Sequence, residues 1–321
     1  MKSLPPLALT GLLGLVFLFG NNYVLNLFVV CALCALPAVG LSLLVGHCGQ
    51  VSLGHAAFVG IGAYAAAIAS ERLGLDPWLA VAAATALSAA AAWAVGRMVF
   101  RLRGHHLAMA TLALGMIVHT VLAEWKPVTG GPDGISVSST LHVAGFELAS
   151  DQAFFIVGWI AAIAALVLAD NLIRSPFGLA LRVVGENERV AGSIGIAPAR
   201  VKRAVMAASG ALAGLSGALY AFWMGYISPD PFNVAYSIKL LLVVALSGFT
   251  GTWRVLGGVF FVVLVSEGLK SFGSLDVVIY GLLLIATMLY PRCKAGEAVR
   301  AFLRRRAEDK RKVSSIIEAK A

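Results

Sequence analysis

The sequence has 321 residues, of which 60% are hydrophobic and only 13% are Asp, Glu, Lys or Arg, where a soluble domain carries roughly 25% charged residues. A water-soluble protein of this size cannot expose so much apolar surface, which excludes a soluble enzyme, a secreted disulfide scaffold and a disordered chain and leaves a polytopic membrane protein. The net charge of +9 then reports where loops sit relative to a bilayer, and implies no nucleic-acid partner.

A helix crossing a bilayer needs about 20 mostly apolar residues. Taken in chain order, the candidates are 4–20, 23–45, 51–69, 77–97, 106–124, 153–173, 204–226, 236–250, 255–270 and 275–290. The pattern predicts an all-α polytopic membrane protein of about ten transmembrane helices. The last three runs are short, so eight to ten brackets the count. The first run follows Lys2 and has no small-residue cleavage site before Asn21 and Asn22, so it reads as a retained span. The second holds Cys31 and Cys34 with no His or acid nearby; they read as small apolar residues on one helix face.

From the end of the second run into the third extends Gly46 to Tyr64, GHCGQVSLGHAAFVGIGAY, with glycines at 46, 49, 54, 60 and 62. Gln50, Ser52 and His55 interrupt its apolar character. Glycine permits close backbone approach or a broken helix. Two readings stay open: these residues line a permeation path, or the segment is tight small-residue packing. His47, Cys48 and His55 have no carboxylate beside them, so no metal site is expected.

Loop charge assigns sides. Arg97, Arg101 and Arg103 make one loop basic. The 124–151 loop is acidic, through Glu124, Asp133, Glu147 and Asp151 against Lys126. The 170–203 loop holds six basic and three acidic residues, and the tail from Arg292 ten basic and four acidic. Excess Lys and Arg marks the cytoplasmic side. Ten spans with both termini inside satisfy all four assignments. If those spans divide into two halves of five, the odd number makes the halves inverted, a common transporter plan; no residue-level repeat marks the division. The domains read as 1–290, a transmembrane domain, and 291–321, a basic cytoplasmic tail whose plain reading is a solvated positive-inside anchor and whose alternative is a surface for anionic membrane lipid or a soluble partner.

The outer loop contains Thr129 to Ile135, TGGPDGI, a strong turn sequence. The inner loop, about 174–203, is longer than a connection needs. Pro176 fits a helix start, and a short amphipathic segment follows until Gly195 and Pro198. Its bland role is an interfacial helix anchored by Arg182, Arg189, Arg200, Lys202 and Arg203; its functional role is docking a soluble partner. Arg254, in the glycine-rich 247–258 stretch, fits a short inner turn. His119 and Glu267 fall near span ends, where they can reach the interface. No phosphate-binding G-x-x-x-x-G-K-[ST], no H-E-x-x-H and no nucleophile–base set occurs, so no catalytic residue and no ATP site is expected in this chain.

Four blocks carry a resemblance: GQVSLGHAAF (49–58) with the GIGAY that follows, RLRGHHLAMATLALG (101–115), TGGPDGI (129–135) and SPFGLALRVVGENERVAGSIGI (175–196). The runs at 209–221 and 281–292 add to it. The chain resembles the permease subunits of bacterial branched-chain amino acid ABC importers, in particular the longer of their two paired permeases. The resemblance implies an inner-membrane importer subunit for branched-chain or related hydrophobic amino acids. Its partners would be a second, homologous permease, two cytoplasmic ATPase subunits that bind the ATP, and a periplasmic binding protein. It also implies that the inner loop is the segment that couples to the ATPase, with Glu188, Ala191 and Gly195 on the Glu…Ala…Gly pattern and Arg182 and Glu186 beside them. Independently of the resemblance, Gln50, Ser52 and His55, three polar groups in a glycine-rich span, are the residues expected on the translocation path. The family's second Glu-Ala pair is Gly192-Ser193 here, and its Tyr-Ala before the Gly-Gln is His47-Cys48. The second departure points to other substrates carried by relatives, such as urea, amides or aromatic acids. A stand-alone secondary transporter fits the span count but would need coupling-ion ligands that the spans scarcely offer.

Overall fold

The computed structural model describes residues 21–100, 102, 104–143, 146–147, 150–248, 251–269 and 276–289. The candidate span 4–20 and the basic tail lie outside the described residues. The helices are α1 (Asn22–Ser42), α2 (His55–Glu71), α3 (Pro77–Val99), α4 (His105–Glu124), α5 (Asp151–Arg174), α6 (Pro176–Glu186), α7 (Glu188–Ser193), α8 (Pro198–Met224), α9 (Val234–Leu246), α10 (Arg254–Leu269) and α11 (Asp276–Leu289). Several start where the sequence supplies a cap. Asp76 accepts the Trp78 N–H and Pro77 opens α3. Ser150 caps α5, Asn187 caps α7 and Asn233 caps α9. Each cap satisfies backbone donors that the first helical turn leaves free.

Among the described residues five stretches are long and apolar enough to cross a membrane: α1 continued to His47, α3, α4, α5 and α8. At 13 residues α9 is about 20 Å long, short of the roughly 30 Å hydrocarbon core. The architecture is that of an all-α membrane protein. Residues 1–273 and 274–321 form separate units; α11 is the described part of the second, and all packing below is within the first.

The long α8 is the centre of that unit, packed against α1, α2 and α3, while α2 also packs on α3 and α4, and α5, α9 and α10 pack on α1. Lipid tails are as apolar as side chains, so helices associate here through close packing and a few hydrogen bonds. Small residues make the packing close. A Cβ on Gly217 would lie 2.0 Å from the Val59 carbonyl oxygen, and one on Gly62 would lie 2.3 Å from that of Gly214. Two buried hydroxyls join the same helices: Ser88 lies 2.9 Å from the Phe58 oxygen and 2.8 Å from the Gly210 oxygen, and Ser216 donates to Leu33 (2.7 Å).

At the acidic end of the bundle the TGGPDGI turn is pinned in place. Its Gly130, Gly131 and Gly134 all have positive φ. It leads into β1 (Ile135–Ser136), which pairs antiparallel with β4 (Tyr226–Ile227) just after α8; β2 (His142–Val143) and β3 (Phe146–Glu147) pair as a second, local ribbon. Glu71, at the end of α2, accepts hydrogen bonds from the N–H and hydroxyl of both Ser138 and Ser139, at 2.7–2.9 Å. Slight burial disfavours the carboxylate, but these four donors outweigh it and hold the Glu71 carboxyl below its ordinary range. Trp78 adds a bond from its indole N–H to the His142 carbonyl (2.6 Å).

Candidate functional site

The basic end is built on the glycine-rich stretch. After Ser42 the first helix loosens into a π-helical turn, Leu43–His47, a feature often found at functional sites. Residues 49–54 are then non-helical. Gly49 supplies the left-handed conformation that the turn requires (φ +64°). The Gln50 N–H returns to the Leu44 carbonyl (3.1 Å), and the Leu53 N–H is held by the Thr111 hydroxyl of α4 (3.0 Å).

The inner loop lies directly on this turn. Where the sequence pattern predicts one amphipathic segment, the structure has two helices, α6 and α7. Asn187 separates them because its backbone is extended (φ −155°, ψ 108°) and its side chain accepts the Arg189 and Val190 N–H groups. α6 meets the turn at Gly185, where a Cβ would fall 2.3 Å from the His47 carbonyl oxygen. Open grooves of about 350 and 400 Å³ flank that contact. Gln50, Glu188 and Arg189 border the first, Arg182 and His47 the second, and Glu186 borders both. Arg182, Glu186 and Gly195 are exposed, and Ala191 is buried. Glu188 forms an ion pair with Lys202 (2.5 Å). The sequence pattern assigns Lys202 to an interfacial anchor; instead its side chain is buried, packed over the Phe100 ring at 5.9 Å.

Ser52 and His55 occupy a different environment from Gln50. His55 is fully buried. Its Nδ1 lies 3.1 Å from the Ser52 hydroxyl and its Nε2 lies 2.6 Å from the Ser209 hydroxyl on α8. The Ser237 hydroxyl on α9 accepts the neighbouring Ala56 N–H (3.0 Å). The imidazole therefore ties the start of α2 to α8. His55→Ala is expected to destabilise the purified protein by about 2–3 kcal/mol, from two lost hydrogen bonds and the void. Gln50→Ala, whose amide only bonds the Cys48 carbonyl (3.2 Å), should leave the thermal midpoint unchanged. Equal midpoints for both variants would show that the network contributes nothing to stability.

Above this network α1, α2, α8 and the segment around α9 enclose a cavity of about 120 Å³. Val30, Leu33, Val59 and Phe232 make its apolar wall. Ser216, Tyr220 and Tyr236 bring hydroxyls to it, and the Tyr236 oxygen lies 3.7 Å from the Cys34 sulfur. A second opening of about 410 Å³ adjoins it, bordered by Tyr23, Asn26 and Glu267. Val30, Trp223 and Lys239 border both spaces. Glu267, noted in the sequence as near a span end, accepts a hydrogen bond from Tyr23 (2.8 Å). Lys239 was not marked by any motif. Its signal was there: it is the one charge in the apolar run Val234–Leu246.

A family model described as a permease component of the branched-chain amino acid transport system matches residues 23–288. The high-affinity branched-chain amino acid transport system permease protein LivM of Salmonella typhimurium is 31% identical over 275 residues, covering 78% of this chain and 65% of that one. The Escherichia coli LivM is 30% identical with the same coverage. The high-affinity branched-chain amino acid transport system permease protein LivH of Escherichia coli is 26% identical, covering 80% of this chain and 89% of its own. The chain thus spans about 65% of the length of the LivM relatives. No solved structure matches.

Proposed function

The chain belongs to the permease-component family of the branched-chain amino acid transport system, and on that premise we propose that it is one permease subunit of an ATP-driven importer for branched-chain or related hydrophobic amino acids. It is a multi-pass inner-membrane protein. In this reading both termini face the cytoplasm, which the basic 170–203 loop and tail support together with an even number of spans. A homologous second permease completes the path, two ATPase subunits bind the ATP, and a periplasmic binding protein delivers substrate to the acidic end.

The observation that carries the reading is the seating of α6 on the turn between α1 and α2, with Gly185 against His47. The arrangement supports a coupling role for Arg182, Glu186, Glu188, Ala191 and Gly195 as a unit. An ATPase that grips α6 and α7 shifts the turn at Gly49–Gly54. His55 transmits the shift to Ser209 on α8. One turn further along α2 is Val59, and two turns along α8 is Ser216, both on the cavity wall. ATP-driven closure thereby favours one of two arrangements of the cavity, which is what import requires. Gln50 acts at the groove beside the loop, and Ser52 and His55 support the path from behind its wall.

The test is purification of the tagged chain from its native membrane in mild detergent, with mass spectrometry of the proteins that follow. Two P-loop ATPases and a second permease are expected. Recovery of this chain alone, still active in uptake after reconstitution, would replace the reading with a secondary transporter.

A further inference from the structure

Lys239 is costly where it stands. It lies five residues into α9, roughly 8 Å along the axis, in a helix that is otherwise apolar and largely buried. An ammonium in such a helix needs a partner or water, and intramembrane ionisable residues commonly mark substrate pathways. Among the described residues Lys239 has no carboxylate bonded to it. Instead it stands at the junction of two spaces of opposite character. On one side is the small apolar cavity of about 120 Å³. An apolar cavity of about 150 Å³ accepts a benzene, so this one suits a branched group of three or four carbons and is too small for an indole. On the other side is the larger opening, which holds the Glu267 carboxylate.

An α-amino acid has the matching set: a carboxylate, an ammonium one carbon away, and a side chain between them in direction. We propose that the two spaces form one binding site for an α-amino acid, with Lys239 Nζ holding the carboxylate and an aliphatic side chain entering the cavity against Val30, Leu33, Val59 and Phe232. The substrate ammonium then faces the larger opening and Glu267. The proposal rests on the importer reading above and deepens it by naming the contacts. It explains why a lysine is tolerated at this depth, since the arriving carboxylate supplies the counter-charge. It also sets a size limit, because Val, Leu and Ile fit the cavity and Trp does not.

The test uses the co-purified transporter in proteoliposomes with ATP inside or outside as orientation requires, its binding protein, and radiolabelled L-leucine as the probe. Lys239→Met is expected to lower leucine uptake at subsaturating concentration by about tenfold or more, the scale of losing one partner of a desolvated charge pair. Subunit assembly, read from co-purification of the partners, should be unchanged, and Lys239→Arg should recover most of the uptake. Val30→Phe, which fills the cavity and leaves the charge in place, is the second variant, and it should reduce leucine uptake on the same scale. Wild-type uptake of leucine by assembled Lys239→Met or by Val30→Phe would overturn the site while leaving the importer reading intact. A wild-type complex that hydrolyses ATP but takes up none of leucine, valine or isoleucine would remove the substrate class, and the site with it.

Discussion

Gly217→Leu is expected to leave almost no folded protein in the membrane. A Cβ at this position would sit 2.0 Å from the Val59 carbonyl oxygen and 2.8 Å from the Ala63 nitrogen. Both are backbone atoms of α2, so no rotamer change can relieve the clash. α2 and α8 would have to separate by more than an ångström, and the contact between Gly62 and Gly214 would open with them. Over-packing of a well-fitted core costs about 1–3 kcal/mol, and a backbone obstruction at the central crossing belongs at or above the top of that range. Membrane association offers no compensating hydrophobic drive, because a separated helix face meets lipid that is just as apolar. Gly192→Ala is the matched control, since a Cβ there meets nothing within 4 Å. Size-exclusion profiles of detergent-extracted, fluorescently tagged protein would show a sharp peak for the control and loss or aggregation for Gly217→Leu. A normal peak for the leucine variant would mean that the crossing of α2 and α8 is not as close as described.

The second large effect concerns Glu188 and Lys202. The lysine side chain is 4% exposed and the glutamate 32%, so the pair is buried on one side and screened on the other. Removing the partner of a buried charge commonly costs 3–5 kcal/mol; solvent at Glu188 brings the expectation for Glu188→Ala down to about 2 kcal/mol. Glu188→Arg should be worse, since it places two cations together beside Phe100. Exchanging both partners, Glu188→Leu with Lys202→Met, should restore most of the stability, because an ion pair replaced whole by apolar groups is often neutral. Transport separates two roles for the glutamate. If it only neutralises Lys202, the double variant imports normally. If it also contacts the ATPase, the double variant is stable and assembled but hydrolyses ATP without uptake. Thermal midpoints and ATP-to-substrate ratios measured on the same preparations decide between them, and a fully stable Glu188→Ala would remove the pair from the account altogether.

The helices were legible because lipid demands uninterrupted apolar runs, and every run from 23 onward coincides with a described helix, usually within a few residues. The inner loop was legible as amphipathic, but its division was not: Asn187 reads as an ordinary helix-surface residue until its backbone is seen extended. The glycine-rich stretch was legible as special and its residues were not separable. Gln50, Ser52 and His55 share one motif, yet Gln50 reaches a groove while the other two are sealed between helices. The decisive partner, Ser209, is 154 positions from His55 and looks like any small residue of a packed span. Lys239 was missed for a different reason. It belongs to no motif, and its setting depends on α1, α8 and α10 arriving around it.

The Glu71 clasp has a mechanical implication. α2 is 17 residues long, a stiff rod of about 25 Å. Its lower end rests on the turn that seats α6, and its upper end is stitched through Glu71 to Ser138 and Ser139. A tilt imposed at the bottom therefore moves the outer loop directly, with no intervening joint. In an assembled importer the surface offered to a delivering receptor would change posture with the nucleotide cycle, so that docking and release of the receptor are timed by the same rod that reshapes the cavity.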